Sequence, residues 1–297
     1  MKIVLSGASG MVGSHLIPQL RADGHDVVQL VRREPTQPHE VRWDPAAGHL
    51  DPADLEGVDA AISLSGAGPG DHHWTPAFKR EIRDSKVDTT MTLAGALAQL
   101  DPRPAVLLSA SATGFYGSRG DEVLTEASGP GDSYLSGVLQ DTEAASRAAQ
   151  DAGIRTVAMR SGIIMSPKGG AFGRKLLPVY RLGLGGRIGD GQFYWSWISL
   201  HDHLRAVRHL LTSELSGPVN LTGPEPVRNV ELSDALGRAL HRPTVLVCPT
   251  FALRVYLGGF TEEITSSQRV LPRALLDDGF VFEHADVDAA CRWVAGR

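Results

Sequence analysis

Three glycines at the start of the chain have the spacing of a phosphate cradle. "GASGMVG", Gly7 to Gly13, reads GxxGxxG; it follows the apolar run "KIVLS" and opens a helical pattern. In that setting Gly7 suits a tight turn, Gly10 lets the backbone approach a pyrophosphate, and Gly13 lets the helix pack closely on the strand. Ser9, Gly10, Met11 and Val12 then line a helix mouth. Its free N–H groups and partial positive charge attract anions. A second signal lies in "QLVRREP". Where an acid would hold the adenosine ribose of NAD stands Val31, followed by Arg32 and Arg33. A guanidinium fork suits a 2′-phosphate, so the expected cofactor is NADP in preference to NAD.

Groups able to act on a substrate come later. "SASATGFYG" offers the hydroxyls of Ser111 and Thr113 and the phenol of Tyr116, which can polarise a carbonyl or hydroxyl. Leu64, Ser65 and Gly66 end one strand run, and Ser161, Gly162 and Ile163 end another. Both stretches fall where ligands bind in open α/β sheets, the first expected against the adenine–ribose side of the cofactor and the second facing the nicotinamide. They read equally as sheet core. Tyr134 is followed four residues on by Val138, so no cation stands one turn away to lower its pKa, expected near the ordinary phenol value of about 10. Lys168, in "SPKGG", reads as a solvated lysine. Trp195 and Trp197 alternate as on a strand and share a face, available for stacking or for core packing. "DHH" (71–73) and "HDH" (201–203) lack a third ligand at metal-site spacing, so no metal is expected.

The elements that position these groups follow from hydrophobic pattern. Val/Ile/Leu runs at 2–7, 25–33, 57–66, 103–112 and 154–164 alternate with helical segments near 11–24, 79–100 and 134–152. Continuous runs fit strands buried on both faces, and the alternation predicts an α/β, doubly wound parallel sheet. Pro18 predicts a kink in the first helix. Residues 166–199 are rich in glycine and aromatics and read as a loop-and-ribbon excursion toward the substrate side. Helices follow at 201–214, with Asp202 as N-cap, and after Asn229 as a second cap. A dinucleotide-binding domain is expected over 1–225, and a small C-terminal α/β lobe over 226–297.

Bulk properties narrow the class. A net charge of −5 without a basic stripe argues against nucleic acid and anionic membrane surfaces. Two cysteines make no disulfide framework, and no apolar segment approaches bilayer length. "MKIVLSGASG" has no signal-peptide layout. The expectation is a soluble cytoplasmic protein acting on a small molecule.

GxxGxxG, "SASATGFYG" and the helix from Tyr134 to Glu143 resemble the extended short-chain dehydrogenase/reductase superfamily, whose fold is Rossmann-like. That resemblance implies a Ser/Thr, a Tyr and a Lys at the reaction centre. Ser111 matches the first, with Thr113 close by. Aligning Glu143 with the glutamate that follows the Tyr–Lys pair puts Leu135 and Leu139 at the tyrosine and lysine positions. Neither transfers a proton. A narrower resemblance covers nearly the whole chain. "SATGFYG", "GGAFGRKLLPVYRLGLGGRIGDGQFYWSWISLHD" and "QRVLPRALLDDGFVF" are similar to the epimerase family of atypical members, which carry a C-terminal domain of unknown function. It implies an NADP-binding fold in which the missing pair is a trait of the group. Three functions stay open: an NADP-dependent oxidoreductase or epimerase on a small, sugar-nucleotide-like substrate; an NADP(H)-binding sensor or partner-binding protein without turnover; and an interaction protein with an empty glycine loop.

Overall fold

The apolar runs become strands because both faces of each are covered. In the computed structural model, which describes residues 1–297, β1 (Lys2–Ser6) sends Ile3 and Leu5 to one face and Val4 to the other. β1 leads through α1 (Met11–Ala22) to β2 (Asp26–Val31) and β3 (Glu40–Arg42). The second half runs β4 (Ala60–Ser63), α2 (Pro76–Ala98), β5 (Val106–Ala112), α3 (Tyr134–Ala144), β6 (Arg155–Ser161), α4 (Leu200–Thr212) and β7 (Gly217–Leu221). These seven strands form one sheet in the order β7-β6-β5-β4-β1-β2-β3. Every neighbouring pair is parallel. The order reverses between β1 and β4, and a ligand crevice opens above the carboxyl ends of strands at such a switch point.

Two apolar layers flank the sheet. Leu16 and Leu20 of α1 and Leu204 and Leu210 of α4 cover Ile3, Leu5, Leu108 and Met159. Leu93 and Leu97 of α2 cover Val4, Leu30 and Leu107 on the opposite face. α1 is one unbroken helix with Pro18 inside it. The ring lies on the exposed side, where water satisfies the carbonyl left without an N–H partner. Two expected caps are corrected. Ser199, not Asp202, caps α4, its Oγ accepting from the Asp202 amide at 3.1 Å. Asn229 is instead the first residue of α5 (Asn229–Leu240). There Glu231 accepts from the Arg228 amide at 2.6 Å, and the Asn229 carboxamide accepts from Ile188 N–H at 2.8 Å.

Beyond β7 the chain adds α5, α6 (Thr250–Leu257), α7 (Phe260–Ile264) and α8 (Val287–Ala295). Their core is shared with the glycine-rich excursion. Leu177, Tyr180, Trp195 and Trp197 pack with Leu232, Leu236, Ala290, Cys291 and Val294. Both tryptophans are core residues, with Nε1 donating to the carbonyls of Ile264 (2.8 Å) and Glu225 (3.0 Å). Between α7 and α8 the chain returns to the main body. Arg269–Val270 pairs with Val123–Leu124, and Leu275, Phe280 and Phe282 enter the α1/α4 core. No helix is long and apolar enough to cross a membrane.

Candidate cofactor and reaction site

Gly7 turns at φ +79°, and a Cβ there would lie 2.7 Å from the carbonyl carbon of Leu64. The glycine loop therefore abuts the β4 loop directly. At Gly13 a Cβ would approach the Cα of Ala8 at 3.0 Å, so the first turn of α1 rests on the loop before it. Gly10 is the N-cap, extended at φ −72° and ψ 171°, with no side-chain cap and no acid in the first turn. The amides of Met11, Val12 and Gly13 donate to nothing within the protein. That is a helix mouth left free for an external anion. Gly169 and Gly170, both at positive φ, bring the excursion across this mouth onto Met11; a Cβ on Gly169 would lie 3.4 Å from Met11 Cγ.

The two arginines after β2 separate in role. Arg33 forks onto Glu40 at 2.5 and 2.9 Å, and that hydrogen bond leads in lowering the Glu40 pKa to about 2. Arg32, its neighbour, is exposed and makes no hydrogen bond or ion pair. Of the two arginines expected near a 2′-phosphate, Arg33 is therefore engaged by Glu40 and Arg32 is the free fork.

At the end of β5 the residues form a network rather than an open row of donors. Ser111 Oγ donates to Glu143 Oε1 at 2.6 Å. Glu143, on α3, also receives Arg160 Nε at 2.9 Å and Nη2 at 2.8 Å. Arg160 stands opposite Ser111 in the β5–β6 register, and its guanidinium stacks on Phe115, 3.4 Å from the ring centre. Because Ser111 spends its proton on Glu143, its lone pairs are what it offers a ligand.

Tyr116 departs from its expected role as a reaction-centre phenol. It is completely buried, donates to Asn220 Oδ1 at 2.7 Å and accepts from Arg160 at 3.0 Å. Burial pushes its pKa up, leaving a structural phenol with both hydrogen-bonding roles filled. Thr113 differs: its residue is buried but its hydroxyl has no protein partner. Ser161 pairs with His203 Nε2 at 2.9 Å. Gly162 lies against Ser196, where a Cβ would come within 2.5 Å of the carbonyl oxygen, and Ile163 pairs with Trp197. Leu64 and Ser65 are half-buried and Gly66 is exposed on the β4 loop beside Gly7.

The positions aligned with a Tyr–Lys pair hold packing groups. Leu135 and Leu139 close on Gly114, where a Cβ would meet them at 3.0 and 3.3 Å. Tyr134 points away, its hydroxyl donating to the Lys79 carbonyl and its ring edge-on to Trp74 at 5.5 Å. Partial burial raises its pKa above the ordinary phenol value that its spacing suggested. Lys168 is exposed. No group of three His, Cys, Asp or Glu side chains is placed to hold a metal. Sequence reasoning missed the Glu143–Arg160 pair. Its signal was an arginine in the otherwise apolar run "TVAMRSGII", because a buried guanidinium needs a carboxylate.

Comparison with known proteins agrees with this architecture. Residues 3–221 match the NAD dependent epimerase/dehydratase family, and residues 248–294 match a domain of unknown function, DUF1731. An epimerase family protein of Mycobacterium tuberculosis is 41% identical over 99% of this chain and 98% of its own. A chloroplastic epimerase family protein of Arabidopsis thaliana is 32% identical over 98% of this chain and 86% of its own. The human epimerase family protein SDR39U1, solved with NADPH, superposes over 100% of both chains with a TM-score of 0.91 at 30% identity. A UDP-glucose 4-epimerase of Thermus thermophilus, solved with NAD, shares the fold (TM-score 0.76, 17% identity, 100% and 98% coverage). The family match over most of the chain and the full-length relatives agree: this chain belongs to the NAD dependent epimerase/dehydratase family, among the epimerase family proteins that carry DUF1731.

Proposed function

We propose that the protein binds NADP(H) across the β1/β4 crevice and acts as an oxidoreductase or epimerase on a small, sugar-nucleotide-like molecule. The observation that carries the reading is the set of three unpartnered amides at the uncapped mouth of α1. They would hold the pyrophosphate, and unpaired Arg32 would hold the 2′-phosphate. The human relative solved with NADPH supports the same choice. Bound there, the cofactor supplies or accepts hydride at its nicotinamide ring. The chain's own part is to orient the substrate oxygen. Thr113 offers a free hydroxyl for it, and Ser111 offers lone pairs fixed by Glu143.

Calorimetric titration tests the reading. NADPH should bind more tightly than NADH. Arg32→Ala should weaken NADPH by about 10- to 100-fold, the worth of one charge-assisted contact, and leave NADH unchanged. Equal wild-type affinities for the two cofactors would remove the phosphate-reading role. A second reading, a binding protein without turnover, is favoured by Leu135 and Leu139 at the Tyr–Lys positions. Absorbance at the reduced nicotinamide band separates the two. An enzyme oxidises bound NADPH when a mixed panel of keto-sugar nucleotides is added, and a binder leaves it reduced.

A further inference from the structure

A lysine is present at the crevice, on a different element from the one that the Tyr–Lys pattern would use. Lys86 lies on α2 and is half-buried, yet its ammonium has no hydrogen bond, ion pair or aromatic partner. Its stem lies along Gly66 of the β4 loop. A Cβ on Gly66 would come 2.8 Å from Lys86 Cγ and 3.1 Å from Nζ, and Gly66 holds φ +149°. The missing side chain at Gly66 is what admits the lysine. Next to it, Ser85 Oγ accepts from the Ala67 amide at 2.9 Å and pins the same loop to α2.

The level of Lys86 in the fold follows from one contact. Thr90 Oγ1 meets Ser109 Oγ at 3.5 Å across the α2–β5 interface. Lys86 is four residues before Thr90 on the same helical face, about 6 Å nearer the crevice. Ser111 is two residues beyond Ser109 on the same strand face, about 6.6 Å nearer the crevice. Lys86 therefore stands level with Ser111, on the same side of the sheet. With Arg32 at the β2 end for the adenosine phosphate, the nicotinamide half of a dinucleotide falls toward β4 and β5, where Lys86 lies along Gly66 and stands at the level of Ser111.

We propose that Lys86 is the cation of this reaction centre, contacting the nicotinamide half of bound NADP(H) in place of the absent Tyr–Lys lysine. The inference rests on the cofactor reading above. Desolvation lowers the Lys86 pKa and no anion opposes it, which is the state of a group awaiting a partner. The ammonium also sets positive potential where Ser111 and Thr113 receive a substrate oxygen.

Two measurements on the whole 297-residue chain test this. Lys86→Met should leave the melting temperature of the free protein equal or higher, because a desolvated, unpaired ammonium is removed. The same change should weaken NADPH about tenfold, while Lys86→Arg keeps most of the affinity. A merely structural lysine would instead lower the melting temperature and leave NADPH affinity alone. Second, the chain has only five lysines, at 2, 79, 86, 168 and 175, so acetylation can be followed site by site by mass spectrometry. Saturating NADPH should slow acetylation of Lys86 at least tenfold, with Lys2 and Lys79 as unaffected controls. If NADPH binds normally but Lys86→Met keeps wild-type affinity, or Lys86 acetylates at the same rate with and without it, this inference falls alone. If the wild-type protein does not bind NADPH, the cofactor reading falls and takes this inference with it.

Discussion

Tyr134 and Tyr116 look alike in sequence, each in a stretch that resembles a reductase reaction centre, and the structure gives both to the scaffold. Tyr134 bonds the Lys79 carbonyl, so Tyr134→Phe should cost about 1 kcal/mol in urea unfolding and change NADPH affinity less than twofold. A large rate loss on any substrate found would contradict that assignment. Tyr116 was not legible as structural because its partners, Arg160 and Asn220, lie 44 and 104 residues away. The same limit separated Arg32 from Arg33, since nothing local marks Glu40 as the partner of one and not the other. His203 carries a pH prediction. Burial holds its pKa at about 4, below the ordinary 6.5. As pH falls below 6.5 the unfolded chain binds the proton first. Stability is then intact above 6.5 and lost as pH falls toward 4. Between pH 7 and pH 5 the wild type should lose about 2 kcal/mol more than His203→Gln in urea unfolding. Equal losses would show that His203 is not neutral and buried in solution.

At the scale of elements, the sheet was legible because Val/Ile/Leu runs buried on both faces are strands whatever their neighbours are. The glycine loop was legible because turn, close approach and helix start are all local demands, and Gly7, Gly10 and Gly13 meet them within seven residues. Helix starts were less so. Ser199 and Asp202 are both capping types, and only the accepted amide shows that Ser199 is the cap. Asp202, fully buried, instead holds the C-terminal tail, accepting from the amides of Glu283 (3.0 Å) and His284 (2.8 Å). Ser199 also meets His284 Nδ1 at 2.9 Å. Ser199→Ala should therefore cost about 1–2 kcal/mol, read as a melting temperature lower by roughly 2–4 °C per kcal/mol. No shift would mean that Asp202 carries the helix start by itself.

Across the whole molecule, residues distant in sequence close one crevice. The glycine loop forms its floor, the β4 loop with Lys86 one wall, and the excursion at Gly169–Gly170 reaches over Met11 from the lobe that also contains α5 and α8. The excursion read from sequence as a loop and ribbon of the 1–225 domain because its core partners, Leu232, Leu236 and Cys291, come 30 or more residues later. No local pattern announces such packing. The arrangement as a whole makes sense as a dinucleotide site closed by its own lobe. The most direct measurement is a crystal structure of the protein with NADPH. Diphosphate oxygens should sit on the amides of Met11, Val12 and Gly13 and the 2′-phosphate on Arg32. A crevice left vacant at saturating NADPH, or a dinucleotide bound away from the mouth of α1, would contradict it.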